Sequence, residues 1–345
     1  MRKYFLLIAA AAVALALAAC DSDTEGNGPP ITGMRIWVAD QPDKEVEIYD
    51  MAGARLKHVG GPPMFSKPNA IGIYLANGDT WVCDFYTNRI RKFNANGDPI
   101  FATPGSEQGF LVLNPAALAV GQASGECWVS DRGNNRVLRL GPDGSVLARV
   151  TGFQYPRGLA VGPTAGDVWV ADEGNDAVVK IASTARGTVA VRNVEVGRYT
   201  GMENPWAVAA EANGRAWVSS RLEGRVVKLS SDAAEVAAVG GFDEPVAVAV
   251  DDTAGSVYVV DTASGVLVAL PRALTGTHGN YRAVAKFVVP GLARPEDVFA
   301  DEKNGRVYVA EMGGGNVRIY DTSGQLVQTL GGFAGPAVVA AWDED

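Results

Sequence analysis

The sequence predicts an all-β fold, a seven-bladed β-propeller with four-stranded blades, and three observations lead to that prediction. An aromatic residue followed by Val recurs seven times, at intervals of 41 to 50 residues. A strand pattern that begins with Pro precedes most of these aromatics. The pattern missing before the first aromatic stands near the end of the chain instead. Repeats of about 45 residues with four short strands each are typical of propeller blades.

The recurring aromatics mark the second strand of each blade, and an acid usually follows three positions later. Only in the repeat of Trp217 is this position a serine, Ser220. Because both features recur, we expect the aromatics to fill the spaces between sheets and the acids to hold turns. The aromatics are Trp37, Trp81, Trp128, Trp169, Trp217, Tyr258 and Tyr308. The acids are Asp40, Asp84, Asp131, Asp172, Asp261 and Glu311.

The innermost strand of each blade is predicted by Pro followed by alternating small and branched residues, as at 156–161 and 245–250. This alternation favours a strand that is packed on both faces near a narrow axis. The first aromatic strand, at 36–39, has no such strand before it, and the pattern occurs at 336–341. We therefore expect a C-terminal strand to complete blade 1 and to close the ring without an unpaired edge.

The N-terminus has the features of an exported, lipid-anchored protein. Arg2 and Lys3 precede an apolar stretch, residues 4–19, which is short for a membrane-spanning helix. Leu-Ala-Ala-Cys at 17–20 resembles a lipobox, which implies cleavage before Cys20 and lipid on its sulfur. An ordinary secretory signal with a chance Cys is the alternative.

The predicted organisation follows from that processing. Residues 1–19 form a lipoprotein signal peptide, residues 20–33 form a flexible tether from lipidated Cys20, and residues 34–345 form the propeller. We expect the propeller to be displayed in the periplasm or at the cell surface of a bacterium, attached to the membrane through the lipid.

Net charge limits the partners that this protein can have. The chain carries 39 acidic and 30 basic residues, and without Arg2 and Lys3 its formal charge is about −11. Such a surface repels phosphate backbones, so no nucleic acid is expected as a partner. It gives no help in docking onto anionic lipid, so membrane attachment depends on the lipid anchor. We expect a monomer.

Two cysteines other than Cys20 lie in predicted strands of adjacent blades. Cys83 comes two residues after its repeat aromatic, and Cys127 comes one residue before its own. Since side chains alternate along a strand, the two thiols are expected to point in opposite senses relative to their blades. Two buried thiols are expected rather than a disulfide.

The whole repeat resembles the NHL repeat over residues 34–345. Pro-x-Gly/Ala-hydrophobic-Ala-Val is followed by Trp-Val-x-Asp, a turn with Asn, and Arg-Val-x-Lys-Leu. The resemblance implies a propeller but gives little indication of function, because one fold carries many functions.

Such propellers are also similar to streptogramin-type lyases, gluconolactonase-like hydrolases and peptide-amidating lyases, and the first and last imply His in the central site. The two histidines here are His58 and His278. The repeat register assigns His58 to the outermost strand of blade 1 and His278 to an insertion in blade 6, both away from the channel mouth. A gluconolactonase-like site needs only oxygen ligands, so it stays open as an enzymatic alternative.

Residues that do not repeat are the candidates for ligand binding. Loops that enter the innermost strand and loops that leave the aromatic strand meet on one face, around the channel mouth. Blades 3 to 5 are expected to bring Arg132, Arg157, Trp206 and Arg221 there, and blade 2 brings Asn69. Guanidinium groups beside an indole suit a carboxylate, a phosphate or a sugar.

Blade 7 breaks the small-residue pattern of the innermost strand. Asp297 stands where five other blades have Ala or Gly, and Glu296 precedes it. A carboxylate close to the axis needs a partner, which is an Arg, water or a cation. With Glu311, these acids are candidates to hold a divalent cation such as Ca²⁺ or Mg²⁺. Alternatively, these acids form a structural ion pair or lie on a solvated rim. No other cofactor is expected.

The sequence therefore favours a membrane-anchored, extracytoplasmic propeller that acts as a non-catalytic scaffold. Its channel-mouth face is expected to bind a protein, a glycan or a small anionic ligand. A metal-assisted lyase or hydrolase with its site at the same mouth is the alternative, either gluconolactonase-like or streptogramin-lyase-like. A purely structural role in the envelope is a third hypothesis.

Overall fold

A computed structural model describes residues 33–103, 111–162 and 166–344 of the protein. These residues form thirty β-strands, and no α-helix occurs among them. The predicted signal peptide and Cys20 lie outside the described residues, as does the predicted tether except for Gly33. In the described ranges, no helix has the length and apolar character that crossing a bilayer requires.

The strands of the first three blades follow one another along the chain. Blade 1 begins with β1 (Arg35–Asp40), β2 (Glu45–Tyr49) and β3 (Arg55–Gly60). Blade 2 consists of β4 (Pro68–Tyr74), β5 (Asp79–Asp84), β6 (Arg89–Phe93) and β7 (Pro99–Ala102). Blade 3 contains β8 (Pro115–Val120), β9 (Cys127–Asp131), β10 (Arg136–Leu140) and β11 (Val146–Thr151).

Blades 4 and 5 continue the same order, and blade 4 has an insertion after its third strand. Blade 4 contains β12 (Pro156–Val161), β13 (Val168–Asp172) and β14 (Ala177–Ile181), then the inserted β15 (Gly187–Ala190), and finally β16 (Glu195–Tyr199). Blade 5 contains β17 (Pro205–Ala210), β18 (Ala216–Ser220), β19 (Arg225–Leu229) and β20 (Glu235–Val239).

Blades 6 and 7 and the closing strand complete the disc. Blade 6 contains β21 (Pro245–Asp251), β22 (Ser256–Asp261) and β23 (Val266–Pro271), then the inserted β24 (Gly276–His278), and β25 (Phe287–Pro290). Blade 7 contains β26 (Pro295–Asp301), β27 (Arg306–Glu311), β28 (Asn316–Asp321) and β29 (Leu326–Gly331), and β30 (Pro336–Trp342) follows. Short 3₁₀ turns cover Arg132–Asn134, Glu173–Asn175, Val191–Asn193 and Tyr281–Ala283.

Closure of the ring by the C-terminal strand is confirmed. The sheet of blade 1 has the order β3-β2-β1-β30, with Trp37 opposite Ala340. β30 is the innermost strand of this blade, in the place that β4 has in blade 2. The seven innermost strands contact one another in turn around the axis, and β30 lies between β26 and β4.

The repeated aromatics pack between the blades, as predicted. Each of the seven is at most 2% exposed and belongs to a separate apolar cluster that joins its own blade to the next. Trp169, for example, packs with Val208 and Val218 of blade 5. Because the buried residues of each cluster come from two neighbouring blades, the fold is held together by seven similar interfaces in series.

The two insertions change the predicted strand count of two sheets. β15 pairs in parallel with β11 of blade 3, and β24 pairs in parallel with β20 of blade 5, so both sheets have five strands. An insertion between the third and fourth strands is close to the open edge of the preceding blade, whose backbone groups it pairs. His278 therefore belongs to the outer edge of the blade 5 sheet, although its sequence lies in blade 6.

The recurring acids hold the loops on the face of the disc where each innermost strand begins. Asp84 accepts hydrogen bonds from the amide of Thr87 in its own turn (2.9 Å) and from the amide of Lys67, just before β4 (3.1 Å). At the exceptional position, the Ser220 hydroxyl donates instead to the carbonyl of Glu203 (2.6 Å). These residues are buried, so the predicted structural role of the series is confirmed.

Cys83 and Cys127 are buried free thiols in one apolar cluster between blades 2 and 3. Cys83 shares the side of its strand with Trp81, whereas Cys127 lies on the side opposite Trp128. The thiols thus point in opposite senses relative to their blades, as predicted. Because blades 2 and 3 are neighbours and pack face to face, both thiols lie in the apolar layer between them. Burial raises the pKa of both thiols.

Candidate functional site

A cavity of about 610 Å³ opens at the channel mouth, on the face where the innermost strands begin. Residues from all seven blades line it, because every blade contributes the start of its innermost strand or the turn after its aromatic strand. The predicted binding residues all lie on this wall, namely Asn69, Arg132, Arg157, Trp206 and Arg221. The repeat register therefore brings these five side chains to one cavity.

The cavity wall has the opposite charge balance from the protein as a whole. The chain has a formal charge of −9, whereas the wall carries five basic and three acidic side chains. The basic ones are Lys67, Arg132, Arg157, Arg221 and Arg294, and the acidic ones are Glu244, Glu296 and Asp297. A basic mouth in an acidic protein attracts anions to the cavity and away from the rest of the surface.

Six side chains from blades 3 to 6 form a continuous polar arc along one side of the mouth. Glu173 joins the two arginines of blades 3 and 4, with 3.2 Å from its Oε2 to Nη2 of Arg132 and 3.4 Å to Nη1 of Arg157. Arg221 forms an ion pair with Glu244 of the next blade, its Nε 2.9 Å from the carboxylate. Trp206 connects the two halves. We call these six residues the arc: Arg132, Glu173, Arg157, Trp206, Arg221 and Glu244.

Trp206 is the centre of the arc because two guanidinium groups stack on its indole. Arg157 Cζ lies 3.0 Å from the ring centroid and Arg221 Cζ lies 4.8 Å from it. Burial lowers the pKa of Arg157 to about 10, with Glu173 opposing the shift and the nearby Arg132 and Arg221 adding to it. Arg157 therefore stays charged at neutral pH, and a further negative group is favourable beside it.

The side-chain amide of Asn69 donates its hydrogen bonds to the protein backbone. Its Nδ2 donates to the carbonyls of Pro115 (3.0 Å) and Ala116 (2.8 Å) in blade 3. Gln41 and Thr262 make similar bonds from blades 1 and 6, to the carbonyls of Pro68 and Pro295. These bonds link the innermost strands of adjacent blades, so Asn69 shapes the wall that it was predicted to offer to a ligand.

Apolar side chains form the floor of the cavity. Four of the five expose only 7 to 8% of their surface, and all five occupy the same place in the innermost strand of successive blades. The floor consists of Ile71, Leu118, Leu159, Val208 and Val248. A cavity with a charged rim and a hydrocarbon floor suits a ligand that has both a charged and an apolar part.

Glu296, Asp297 and Glu311, the predicted metal-binding acids, all belong to blade 7, but their carboxylates have different partners. Glu311 belongs to the recurring acid series, is fully buried, and accepts from the amide of Ala293 (2.6 Å) and from Arg318 Nε (2.6 Å). Glu296 forms an ion pair with Arg294 at 2.8 Å. These bonds direct the carboxylates to different partners, and the three acids do not form a metal-type cluster in the described part of the chain.

Asp297 has a partner that the sequence did not indicate. Its Oδ2 accepts a hydrogen bond from the amide of Val339 in β30, at 3.1 Å. Burial raises the pKa of this carboxyl to about 7, although the hydrogen bonds from Val339 and Val298 oppose the shift. The side chain therefore connects blade 7 to the closing strand and adds a carboxyl with a raised pKa to the cavity wall.

Both histidines lie outside the cavity, as the repeat register predicted. His58 is in β3, the outermost strand of blade 1, near Glu45 and Glu47. Glu47 already accepts hydrogen bonds from Arg55 and Tyr49. Since these are the chain's two histidines, no imidazole faces the channel mouth.

One recurring feature of the opposite face was missed in the sequence. In blades 2 to 5 a basic residue lies directly across from the Trp and within 5.2 to 5.5 Å of its ring. Its charged group also contacts an acid of its own blade and a backbone carbonyl of the next. We call these four residues the latches: Lys92, Arg139, Lys180 and Lys228. A basic residue eleven positions after the repeat Trp in each of blades 2 to 5 is the signal that would have predicted them.

The described residues form a seven-bladed β-propeller, and one of its repeats matches a known repeat family. Residues 153–181, from the loop before β12 to the end of β14, match the NHL repeat. No curated protein sequence matches the chain.

Solved structures with the same fold have low sequence identity to this chain. A protein from Lactobacillus plantarum is 14% identical with a TM-score of 0.67, covering 90% of this chain and all of that one. A streptogramin B lyase is 14% identical with a TM-score of 0.61, covering 87% of each chain. Virginiamycin B lyase from Staphylococcus aureus is 13% identical with a TM-score of 0.59, covering 76% of this chain and 84% of that one.

Proposed function

We propose that this protein is a lipid-anchored, extracytoplasmic binding protein that holds a small anionic ligand, without catalysis, at its channel mouth. The arc carries the proposal, because two guanidinium groups on one indole form a preorganised anion site. Glu173 and Glu244 hold the arginines in place while the wall as a whole keeps an excess of positive charge. The apolar floor favours a ligand whose anionic group is attached to a hydrocarbon body.

Binding of straight-chain carboxylates, from acetate to decanoate, tests this function by calorimetry. We expect the longer members to bind, because their chains cover the apolar floor while the carboxylate contacts the arc. Arg157→Ala or Trp206→Ala should weaken binding by about 1 to 3 kcal/mol, the range for a desolvated Arg or aromatic anchor.

Arg55→Ala is the matched control, because Arg55 forms an ion pair on the outermost strand of blade 1 and is 59% exposed. It should leave carboxylate binding unchanged. If no carboxylate binds, or if binding survives both substitutions in the arc, the proposed function is wrong.

The second candidate is a lyase or hydrolase at the same mouth, and the fold shared with virginiamycin B lyase favours it. One solved structure of that enzyme, with quinupristin, is of a catalytically inactive variant in which a His is replaced by Ala. Both histidines of this chain are far from the mouth in the repeat register, which supports binding over that chemistry. Turnover of a lactone or of virginiamycin B, lost in Asp297→Ala, would favour the enzyme instead.

The lipid anchor is a separate part of the proposal and rests on the sequence at 17–20. Cys20→Ser should remove the protein from the membrane fraction and leave it unprocessed or soluble, because the sulfur that carries the lipid is gone. Membrane fractionation followed by immunoblotting measures this. Release of the unsubstituted protein by a detergent-free wash would contradict the anchor.

A further inference from the structure

Asp297 is the exception on the channel wall. The corresponding position in the other six innermost strands is Ala, Gly or Val, and in blade 1 it is Val338. The strands packed on either side of Asp297, β21 and β30, carry Val and Ala along the facing stretch. A carboxylate in such surroundings is costly unless a partner compensates for the lost water.

The two other acids of the cavity wall, and Glu173 of the arc beside it, are all paired with cations. Glu173, Glu244 and Glu296 each form an ion pair with an arginine. Asp297 accepts a hydrogen bond from the Val339 amide. No Lys, Arg or His nitrogen within the described ranges lies within 4.0 Å of its carboxylate. Glu311 of the paired strand β27 is bonded to Arg318, and Glu296 is the charged neighbour whose field reaches Asp297. Backbone amides alone leave this carboxylate on the wall without a counter-charge.

The order of the blades puts this group across the channel from the arginines of blades 3 and 4, whereas Glu244, at the end of the arc, belongs to the adjacent blade 6. Blade 7 is three blades away from blade 3 in one direction and three from blade 4 in the other. Arg132 and Arg157 extend from those two blades. The cavity thus has an anion-binding side and an unpaired carboxylate facing it, with the apolar floor between them.

We infer that the ligand of the mouth is bipolar, with an anionic group held by the arc and a cationic amine held by Asp297, joined by an apolar spacer. The inference rests on the proposed function and goes beyond it by assigning the second end of the ligand. An amine on a hydrocarbon suits a single carboxylate in an apolar wall, whereas Ca²⁺ or Mg²⁺ needs six or more oxygen ligands. A bound amine would also compensate for the loss of water that raises the pKa of Asp297.

Straight-chain amino acids with the amine at the far end, from glycine to aminooctanoate, test the inference against the carboxylates that lack the amine. At pH 8 at least one should bind about fivefold or more tighter than its matched carboxylate, a gain typical of one added ion pair. The chain length that binds best reports the separation of the two charged sides. Binding near pH 7 should also release a proton, seen as a heat that depends on the buffer.

Asp297→Asn removes the charge but keeps an oxygen that can accept the Val339 amide hydrogen bond. In this variant the preference for the amine should disappear, while binding of the simple carboxylate is retained. Glu195→Gln is the matched control, because Glu195 forms an ion pair with Arg198 on the outermost strand of blade 4, away from the mouth, and it should keep the preference. If Asp297→Asn does not fold, the affinity ratio and the proton release of the unsubstituted protein decide the matter.

The outcomes separate the two proposals. Carboxylate binding without any gain from the amine at any chain length would overturn the bipolar ligand and leave the anion site intact. An amine preference that survives Asp297→Asn would also overturn the assignment. If neither series binds, the anion site itself is wrong, and the bipolar ligand is wrong with it.

Discussion

The two faces of the disc use charged side chains in different ways. On the opposite face, the latches repeat one set of contacts in four successive blades, with an indole, an acid and the carbonyl of the next blade. On the mouth face, corresponding positions in successive blades carry Arg132, Glu173 and Arg221, so the charge changes from blade to blade. Repetition holds neighbouring blades together, whereas variation creates a site that no single blade contains.

The largest expected difference between the faces concerns their tryptophans. Trp169→Ala should lower the free energy of unfolding by about 3 to 5 kcal/mol, because a fully buried side chain between two blades leaves a cavity. Trp206→Ala should cost about 1 kcal/mol, because Trp206 is partly exposed at the mouth and its main role is in binding. Denaturant unfolding of both variants measures this. Equal losses of stability would contradict the distinction between the faces.

A smaller difference is expected between two acids, one on each face. Glu211 is 1% exposed and holds Lys228, Arg272 and the Trp217 indole N–H. Glu211→Gln should lower the free energy of unfolding by about 3 kcal/mol, because it leaves a buried lysine without its counter-charge. Glu244→Gln at the mouth, where its partner Arg221 reaches solvent, should cost less than about 1 kcal/mol and alter ligand binding instead. A stability loss at Glu244 as large as at Glu211 would remove the contrast.

The smallest effect concerns the pH dependence of stability. Because the pKa of Asp297 is raised to about 7, the folded protein binds more protons than the unfolded chain between about pH 4 and pH 7. Stability from this group is therefore full at about pH 4 and is lost as the pH rises towards 7. Asp297→Asn should reduce the decline by about 1 to 2 kcal/mol. Unfolding curves at pH 4.5 and pH 7.5, with Glu195→Gln as control, check this, and identical declines in both variants would contradict it.

Much of the fold could be predicted from the sequence because the repeated positions follow local rules. An aromatic at each second strand and Pro at each first strand fix the strand order of a blade, and the misplaced pattern at 336–341 predicts closure. The insertions could not be assigned in the same way. Whether β15 pairs with its own blade or with blade 3 depends on which sheet edge lies open, and that is a property of the assembled ring.

The candidate site was predicted in position but not in its pairing. Arg132, Arg157, Trp206 and Arg221 were placed at the mouth because the register of each repeat fixes the face to which a residue belongs. Glu173 was not selected, although it connects two of the arginines, because its role depends on side chains from a neighbouring blade. Glu311 was grouped with Glu296 and Asp297, although it is a member of the recurring acid series. The acids of that series hold the loop before the innermost strand, as Glu311 does through the amide of Ala293.

The pairing of β1 with β30 has a consequence for the order of folding. Each blade from 2 to 7 is built mainly from neighbouring hairpins, whereas blade 1 joins segments about 300 residues apart, as with Ile36 and Ala341. Long-range contacts of this kind form late. The Val339 amide that donates a hydrogen bond to Asp297 belongs to β30. The cavity wall is therefore incomplete until β30 pairs with β1. Any ligand held between Asp297 and the arc would consequently bind the closed ring in preference to the open one and shift the balance towards closure.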